Sequence, residues 1–347
     1  MSLILENLSF SINDVPIIQD INLTVGSGEI VSLLGPSGCG KTTCLRIAAG
    51  LANVQCGQVV ISGEIMGSPV VHMPPERRRI GMVLQDYALF PHLSVRDNVA
   101  FGLQGQSQKK QNDIIMPLLE RVGLEEYKDQ YPHTLSGGQQ QRIALARALA
   151  PNPQVMLMDE PFSGLDVALR DKIRDQTLGI LKDMGVPTLL VTHDPEEAMR
   201  LSDKIAIMEK GRIIQFGRPR DIYFNPASSQ VVQFFGHMNQ LTGIVQQGTV
   251  TTPLGDINAG KYPDGQQVDI FARAQAIRVY CSRDTAEDYI KATVVRTSII
   301  GATTLLTLSI EGVEDHYLAL YPTRDYINAG SEVYIELEPT EVFVFAK

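Results

Sequence analysis

Residues 30–49 read IVSLLGPSGCGKTTCLRIAA: a run of strand length, a loop with three glycines, then a helix-favouring segment. Within it Gly35, Gly40, Lys41 and Thr42 match G-x-x-x-x-G-K-[ST], and the match follows a strand pattern and precedes a helix pattern, the context that gives it meaning. Glycines there let backbone N–H groups converge on phosphate oxygens without side-chain clash, and the helix N-terminus adds a favourable dipole. Gly35, Pro36, Ser37, Gly38, Cys39, Gly40, Lys41, Thr42 and Thr43 are therefore the expected phosphate site of a nucleoside triphosphate. Lys41 would face the β- and γ-phosphates and the Thr42 hydroxyl a Mg²⁺ ion. A glycine-rich turn that merely joins strand to helix is the competing reading, and the flanking patterns disfavour it.

Further apolar runs of strand length, Val155–Met158, Leu189–Val191 and Ile205–Met208, alternate with helix-length segments before residue 235. That alternation marks a buried parallel sheet. The run at Val155 ends in MDEPFSGLD, so two carboxylates emerge at the C-terminal end of a strand, where ligands gather in open α/β sheets. Asp159 is expected to hold Mg²⁺ and Glu160 to polarise an attacking water. An Asp-Glu pair in a solvated turn would be the usual reading; here the pair caps a buried strand in a chain that also carries a phosphate loop. After residue 240 the texture changes to short β-rich runs (VDIFARA, KATVVRT, TTLLTLSI, HYLALY, EVYIELE, EVFVFA) broken by Gly, Pro and Asn. This predicts a small all-β barrel or sandwich.

LSGGQQQR, Leu135 to Arg142, lies one helix before the acidic strand; Ser136 would cap that helix, with Gly137 and Gly138 leaving its first amides open. A second phosphate-binding helix end in a chain with one lysine-bearing loop suggests one nucleotide shared between two copies. This resembles the signature motif of the ATP-binding cassette (ABC) ATPases, and the resemblance covers roughly residues 1–235 with every main motif in order. The resemblance implies an α/β P-loop ABC ATPase domain, 1–236, of mixed sheet plus a helical subdomain at about 86–150, followed by a β-rich OB-like domain, 237–347. It implies ATP and Mg²⁺ as ligands and contacts from Ser136, Gly137, Gly138 and Gln139 to the γ-phosphate held by the other copy. Gln85, in GMVLQDYALFPHLSV, matches the family's glutamine loop, which senses Mg²⁺ and the attacking water. Ser163 to Asp166 matches the loop that crosses the dimer seam, with Gly164 where many relatives carry Ala. His193, in LLVTHD, matches the switch histidine that touches the γ-phosphate and orients Glu160. A lone His is more often structural, but its place at a strand end in this order of motifs favours catalysis. The aromatic ring that relatives stack on adenine falls near Ile12, with Phe10 on the same strand face; the departure predicts relaxed choice between ATP and GTP.

The chain has 347 residues, 44% hydrophobic and 20% charged, with a net charge of −9. That is length enough for two cores, and an acid excess that argues against a general nucleic-acid surface. The segment 240–347 carries eight basic against fourteen acidic residues, so an oligonucleotide-binding role for the OB-like domain is disfavoured. Cys39, Cys44, Cys56 and Cys281 form no CxxC pair, and reduced thiols are expected. MSLILENLSF has no basic n-region and carries Glu6, no apolar run reaches ~18 residues, and a cytoplasmic location is expected. The polar stretch 104–113, QGQSQKKQND, reads as a solvated loop or helix start.

Within the ABC class the sequence has one cassette, no fused membrane helices and too short an interval between Gln85 and Leu135 for a coiled-coil insertion, which points to an importer subunit. Tyr87, Leu89, Phe90, Pro91 and Leu93 form an apolar patch at the family's docking cleft for a membrane subunit, though about half could be plain core. The tail resembles the transport-associated domain of one importer subfamily; IFARAQAIRV, with Arg273 and Arg278, is similar to its Arg-Pro-Glu strand, with Ala274 and Gln275 in place of Pro-Glu. The resemblance implies a homodimer, peripheral on the cytoplasmic face of the inner membrane, under two integral membrane permease subunits fed by a periplasmic or surface solute-binding protein. Cargoes in that subfamily include ferric iron, polyamines, sugars, sulfate, molybdate and thiamine; the linker and glutamine-loop region look most like the ferric-iron and polyamine branches.

Overall fold

The computed structural model describes residues 1–165, 167–281 and 289–347. It begins with a hairpin, β1 (Leu3–Ile12) and β2 (Val15–Val25), turned by Asn13 and Asp14, both left-handed. Two consecutive positive-φ residues suit a tight hairpin, and Asn and Asp tolerate that conformation best after Gly. β3 (Ile30–Leu34) follows, every residue buried, and feeds the glycine loop and α1 (Lys41–Ala49). β4 (Cys56–Ile61) and β5 (Glu64–Gly67) join the hairpin in a four-stranded antiparallel sheet, β2-β1-β4-β5, which the sequence patterns did not single out.

Next come β6 (Ile80–Val83), three helices α2 (Val95–Ala100), α3 (Gln108–Arg121) and α4 (Gly137–Leu149), and β7 (Val155–Asp159). The polar stretch at 104–113 is thus a loop followed by a helix start, with Ser107 at the N-cap position. α5 (Val167–Met184), β8 (Thr188–Thr192), α6 (Pro195–Leu201), β9 (Lys204–Glu209) and β10 (Arg212–Gly217) complete the first unit's sheet. Its order is β10-β9-β3-β8-β7-β6, parallel except for the antiparallel edge strand β10. β3 and β8 are buried throughout, which is why they read as continuous apolar runs rather than alternating ones. One core lies between this sheet, α1 and the antiparallel sheet; a second joins the sheet's other face to α2–α5.

The chain divides into two compact units, Met1–Ile222 and Tyr223–Lys347, so the division falls before the 236/237 boundary expected from the sequence. The physical reason lies within the second unit. Arg273 is buried and donates to the Tyr223 carbonyl at 2.7 Å, its guanidinium 3.4 Å from the centre of the Tyr223 ring. Beyond α7 (Pro219–Phe224) and α8 (Ser229–Gln233), the regular elements among the described residues of the second unit are all β apart from short 3₁₀ turns. β11 (Met238–Ile244), β14 (Gln267–Arg273) and β20 (Val342–Ala346) form one sheet; β12 (Thr249–Thr252) and β13 (Gly255–Asn258) form a hairpin. The third sheet runs β15-β19-β16-β17-β18, from Ile277–Tyr280, Glu332–Leu337, Ile290–Ile300, Thr303–Ile310 and His316–Pro322 respectively. The alternating burial of β17 packs one face into a core of its own, where Tyr317 is buried, as expected of a core aromatic.

α1 ends where the phosphate loop's helix must be anchored. Gly50, at φ 81°, closes its C-terminus, and the wholly buried Arg78 donates from Nη1 to the Ile47 and Ala48 carbonyls, both at 2.9 Å, and from Nε to the Met73 carbonyl at 2.7 Å. A cation on the last carbonyls of a helix satisfies orphan acceptors and complements the dipole. We expect Arg78→Met to lower unfolding stability in urea by about 2–4 kcal/mol, since charge-assisted bonds to three buried carbonyls are lost. A loss within ~0.5 kcal/mol, the range of ordinary surface changes, would show that these carbonyls find other partners.

Candidate active site

β3 delivers the chain into the loop at Gly35, where a Cβ would lie 2.2 Å from the Met208 carbonyl oxygen and 2.8 Å from Cys39 Sγ. Gly40, at φ 106°, backs onto β2, where a Cβ would meet the Ile17 carbonyl at 2.8 Å. Both positions exclude any side chain, and Gly38 at φ 81° needs glycine for its conformation. The loop is tied down from behind by the Gly211 N–H, which donates to the Cys39 carbonyl at 3.2 Å. Pro36, Ser37 and Gly38 form its exposed crest. Gly40, as the N-cap of α1, offers no side-chain cap, so the first amides of the helix stay open to an external acceptor.

Lys41 is 5% exposed and its Nζ donates to the Gly35 and Pro36 carbonyls at 2.7 and 2.9 Å. These are its own loop's carbonyls. The ammonium is held inside the cradle, close to where an anion seated on the loop amides would lie. Cys39 and Cys44 are buried free thiols; burial pushes Cys39 up and Cys44 up to about 12, so neither is a nucleophile at neutral pH. Thr43 is half-buried on the first turn of α1.

β7 brings Asp159 to the loop, where its Oδ1 accepts from the Thr42 hydroxyl at 3.3 Å. Burial pushes the Asp159 carboxyl up and neighbouring Glu160 pushes the same way, against the Thr42 hydroxyl, Arg46 and Lys41. Glu160 has φ 44°, in the left-handed region that non-glycine residues rarely enter, and its N–H donates to the Val191 carbonyl at 2.9 Å. That conformation turns its side chain away from Asp159's direction and toward the end of β8. There Glu160 Oε2 lies 3.1 Å from His193 Nδ1. Gln85, Asp159 and Ser163 share an open cleft of about 610 Å³ with Arg46, Leu84, Asp86 and Gly164. Arg46 was not anticipated; one helical turn beyond Thr42, it carried no signal except its place on α1.

Ser136 caps α4 through a reciprocal pair: its Oγ accepts from the Gln139 N–H at 3.4 Å and Gln139 Oε1 accepts from the Ser136 N–H at 2.8 Å. The Gln139 side chain is thereby committed to the helix end, and the glycine positions remain as the open backbone there. Gly137 lies against the loop that follows β7 in its own chain: a Cβ would lie 3.8 Å from the Gly164 carbonyl. Asp166 lies outside the described residues. Of the apolar patch at 87–93, Tyr87 is core, Leu89, Phe90 and Leu93 are half-buried and Pro91 is exposed. Buried Asn98 pins this loop, donating to the Phe90, Leu93 and Ser94 carbonyls and accepting from the Phe90 N–H at 2.9 Å. Ile12, at the tip of the first hairpin, is 52% exposed, whereas Phe10 packs against the core.

A glycine cradle with a buried lysine, an acid held on the Thr42 hydroxyl and a second acid paired with a histidine define a P-loop nucleoside triphosphatase. The family description "ABC transporter" matches residues 18–163. The spermidine/putrescine import ATP-binding protein PotA of Oleidesulfovibrio alaskensis is 38% identical over 88% of this chain and 84% of its own. The Fe(3+) ions import ATP-binding protein FbpC of Escherichia coli O157:H7 is 37% identical over 99% of this chain and 97% of its own. Among solved structures, cbiO1 of Clostridium perfringens, part of the ABC transporter complex cbiONQ, superposes with a TM-score of 0.59 at 28% identity, covering 67% of this chain and 92% of its own. The chain belongs to the ATP-binding subunits of ABC importers and is an ABC-type transport ATPase. No helix among the described residues is long and apolar enough to cross a membrane.

Exposed Ile12 has no aromatic face, so a base set against the hairpin tip would meet an aliphatic side chain only. We expect ATP and GTP to be turned over at comparable rates, and Ile12→Tyr to lower the KM for ATP by fivefold or more, since base–aromatic stacking contributes about 1–3 kcal/mol. Strict ATP preference in the unaltered protein would place the base elsewhere.

Proposed function

We propose that two copies of this chain close around two ATP molecules and use the cycle of closure and hydrolysis to drive solute import through two membrane permease subunits. The observation that carries the hydrolytic part is the Glu160–His193 pair at 3.1 Å, next to Asp159 on the Thr42 hydroxyl. Residues 35–43 would hold the phosphates of one ATP, and Ser136 to Gln139 of the other copy would complete the site. The glycine cradle and the uncapped start of α1 support that assignment, because both present open backbone donors at a helix N-terminus, which favours an anion.

Mg²⁺ fits the donors at hand: the Asp159 carboxylate and the Gln85 amide line one cleft, the Thr42 hydroxyl is bonded to Asp159, and all three are hard oxygen ligands. When bound, it would neutralise charge on the phosphates. Glu160 would take the proton of the attacking water, and His193, its Nδ1 3.1 Å from that carboxylate, would hold it in register and offer its other nitrogen to the γ-phosphate. Closure would turn the transporter outward and hydrolysis would reopen it.

Import by a binding-protein-dependent complex places the chain on the cytoplasmic face of the inner membrane, peripheral to its permeases, with a solute-binding protein on the other side. For the cargo our reading is ferric iron, because the relative named for Fe(3+) import aligns over nearly the whole of both chains; a polyamine and sulfate are alternatives that other relatives' names support, with a sugar, molybdate or thiamine as further ones.

Glu160→Gln should bind ATP, dimerise on it and lose hydrolysis by about 10²-fold or more, the usual share of a positioned general base. Near-normal turnover would remove Glu160 from the mechanism. The same variant, purified from its native membranes with ATP, should bring down permease subunits and a solute-binding protein; ferric iron bound by that protein would establish the cargo, and another ligand would replace it.

A further inference from the structure

The two loops that carry Glu160 and His193 come from different strands, and one buried cation touches both. Arg174, on α5, is 6% exposed. On one side its guanidinium lies 5.9 Å from the centre of the Phe162 ring, two residues after Glu160. On the other its Nη2 donates to Asp194 Oδ2 at 2.8 Å and Glu197 Oε2 at 3.3 Å. Asp194 follows His193 directly and caps α6, its Oδ1 accepting from the Glu196 and Glu197 N–H groups at 2.9 and 3.2 Å. Thr192, which precedes His193, donates its hydroxyl to Glu197 Oε2 at 3.1 Å and accepts from the Asp194 N–H at 3.0 Å. Both neighbours of His193 are therefore fixed, and Arg174 engages the two carboxylates that fix them. His193 itself remains largely exposed, its Nδ1 3.1 Å from Glu160 Oε2.

We propose that Arg174 is the positioning residue of the hydrolytic pair: a single guanidinium that sets the distance between the Glu160 segment and the His193 loop without touching nucleotide. The inference rests on the hydrolytic roles proposed above for Glu160 and His193. Burial pushes the Glu197 carboxyl up to about 6, against the pull of Arg174 and the Thr192 hydroxyl, so at neutral pH it stays ionised as the cation's partner. Asp194 is held below the usual carboxylate range: burial raises it, but the Glu197 amide, Arg174 and the Glu196 amide together prevail. Asp171, one turn earlier on α5, adds a looser contact at 3.6 Å from Nη1. Nη2 thus serves both carboxylates of the α6 start while Nη1 faces Asp171 on α5, an arrangement that a lysine's single point charge does not reproduce.

The test is a double-mutant cycle on ATP hydrolysis by the full-length chain. Arg174→Gln should lower kcat by about 10–100-fold, the cost of a small misplacement of reacting groups, while KM and ATP-dependent dimerisation stay nearly unchanged. Arg174→Lys should recover part of the loss. In a His193→Ala background, Arg174→Gln should cost little more, because the pair it sets is already broken. Losses that multiply in that background, or a fall in kcat that tracks loss of folded protein, would reduce Arg174 to a structural role and overturn the inference. Should Arg174→Gln fail to fold, Arg174→Lys and Glu197→Gln carry the same cycle with the fold's charge pattern less disturbed. Full turnover in His193→Ala alone would sink the hydrolytic reading itself and this inference with it; a dead His193→Ala beside an unaffected Arg174→Gln would sink only the inference.

Discussion

Between the end of β3 and the start of α1 the backbone has no room for side chains on its inner side. A Cβ at Gly35 would overlap the Met208 carbonyl on β9 and one at Gly40 the Ile17 carbonyl on β2, so the loop is pressed against both sheets of the first unit. Everything chemical follows from that proximity. The amides that would otherwise be covered by side chains face outward, Lys41 folds back over the carbonyls of the same loop, and the neighbouring strand ends bring Asp159 and His193 to the same edge. Because β3 lies between β9 and β8, with β7 beyond β8, the register of three parallel pairings sets where those side chains emerge.

What could be read in advance was what is local. The phosphate loop, the acidic end of β7 and the capped start of α4 each carry their own pattern within about ten residues, and strands buried on both faces read as apolar runs. The family resemblance likewise follows from those runs in order. The interactions that hold them in place are of another kind. Arg78 reaches α1 from a segment beyond β5, Arg174 spans two loops, and Arg147 of α4 reaches the glutamine loop; none belongs to a repeating pattern, and an arginine on a helix or turn gives no hint of which distant carbonyl it will meet. The left-handed backbone of Glu160 is equally silent in the sequence, since Glu has no preference for it.

The second unit was legible as β structure but not as sheets. Its longer strands, β14 and β16–β20, were marked by their β-branched and aromatic residues, whereas β11, β12, β13 and β15 are shorter or more polar and carried too little alternation to stand out. The boundary moved for a similar reason. The segment around Tyr223 is helical and resembles the first unit in texture, yet its partner is Arg273, whose buried guanidinium is also paired with Glu341 at 2.7 Å. The first arginine of IFARAQAIRV is thus consumed inside the second unit, holding the Tyr223 carbonyl and Glu341.

Arg147 joins two features described separately above. From α4, whose start bears Ser136, it donates to the Ala88 and Tyr87 carbonyls at 2.6 and 2.8 Å, and those two residues take up left-handed backbone at φ 44° and 60° just after Gln85. Neither Tyr nor Ala favours that conformation, so the segment is held bent by an outside force rather than by its own preferences. Mechanically this removes a hinge. The loop at 87–93 is tied to α4 through one guanidinium, so a displacement of either would be carried to the other with little lost to bending between them.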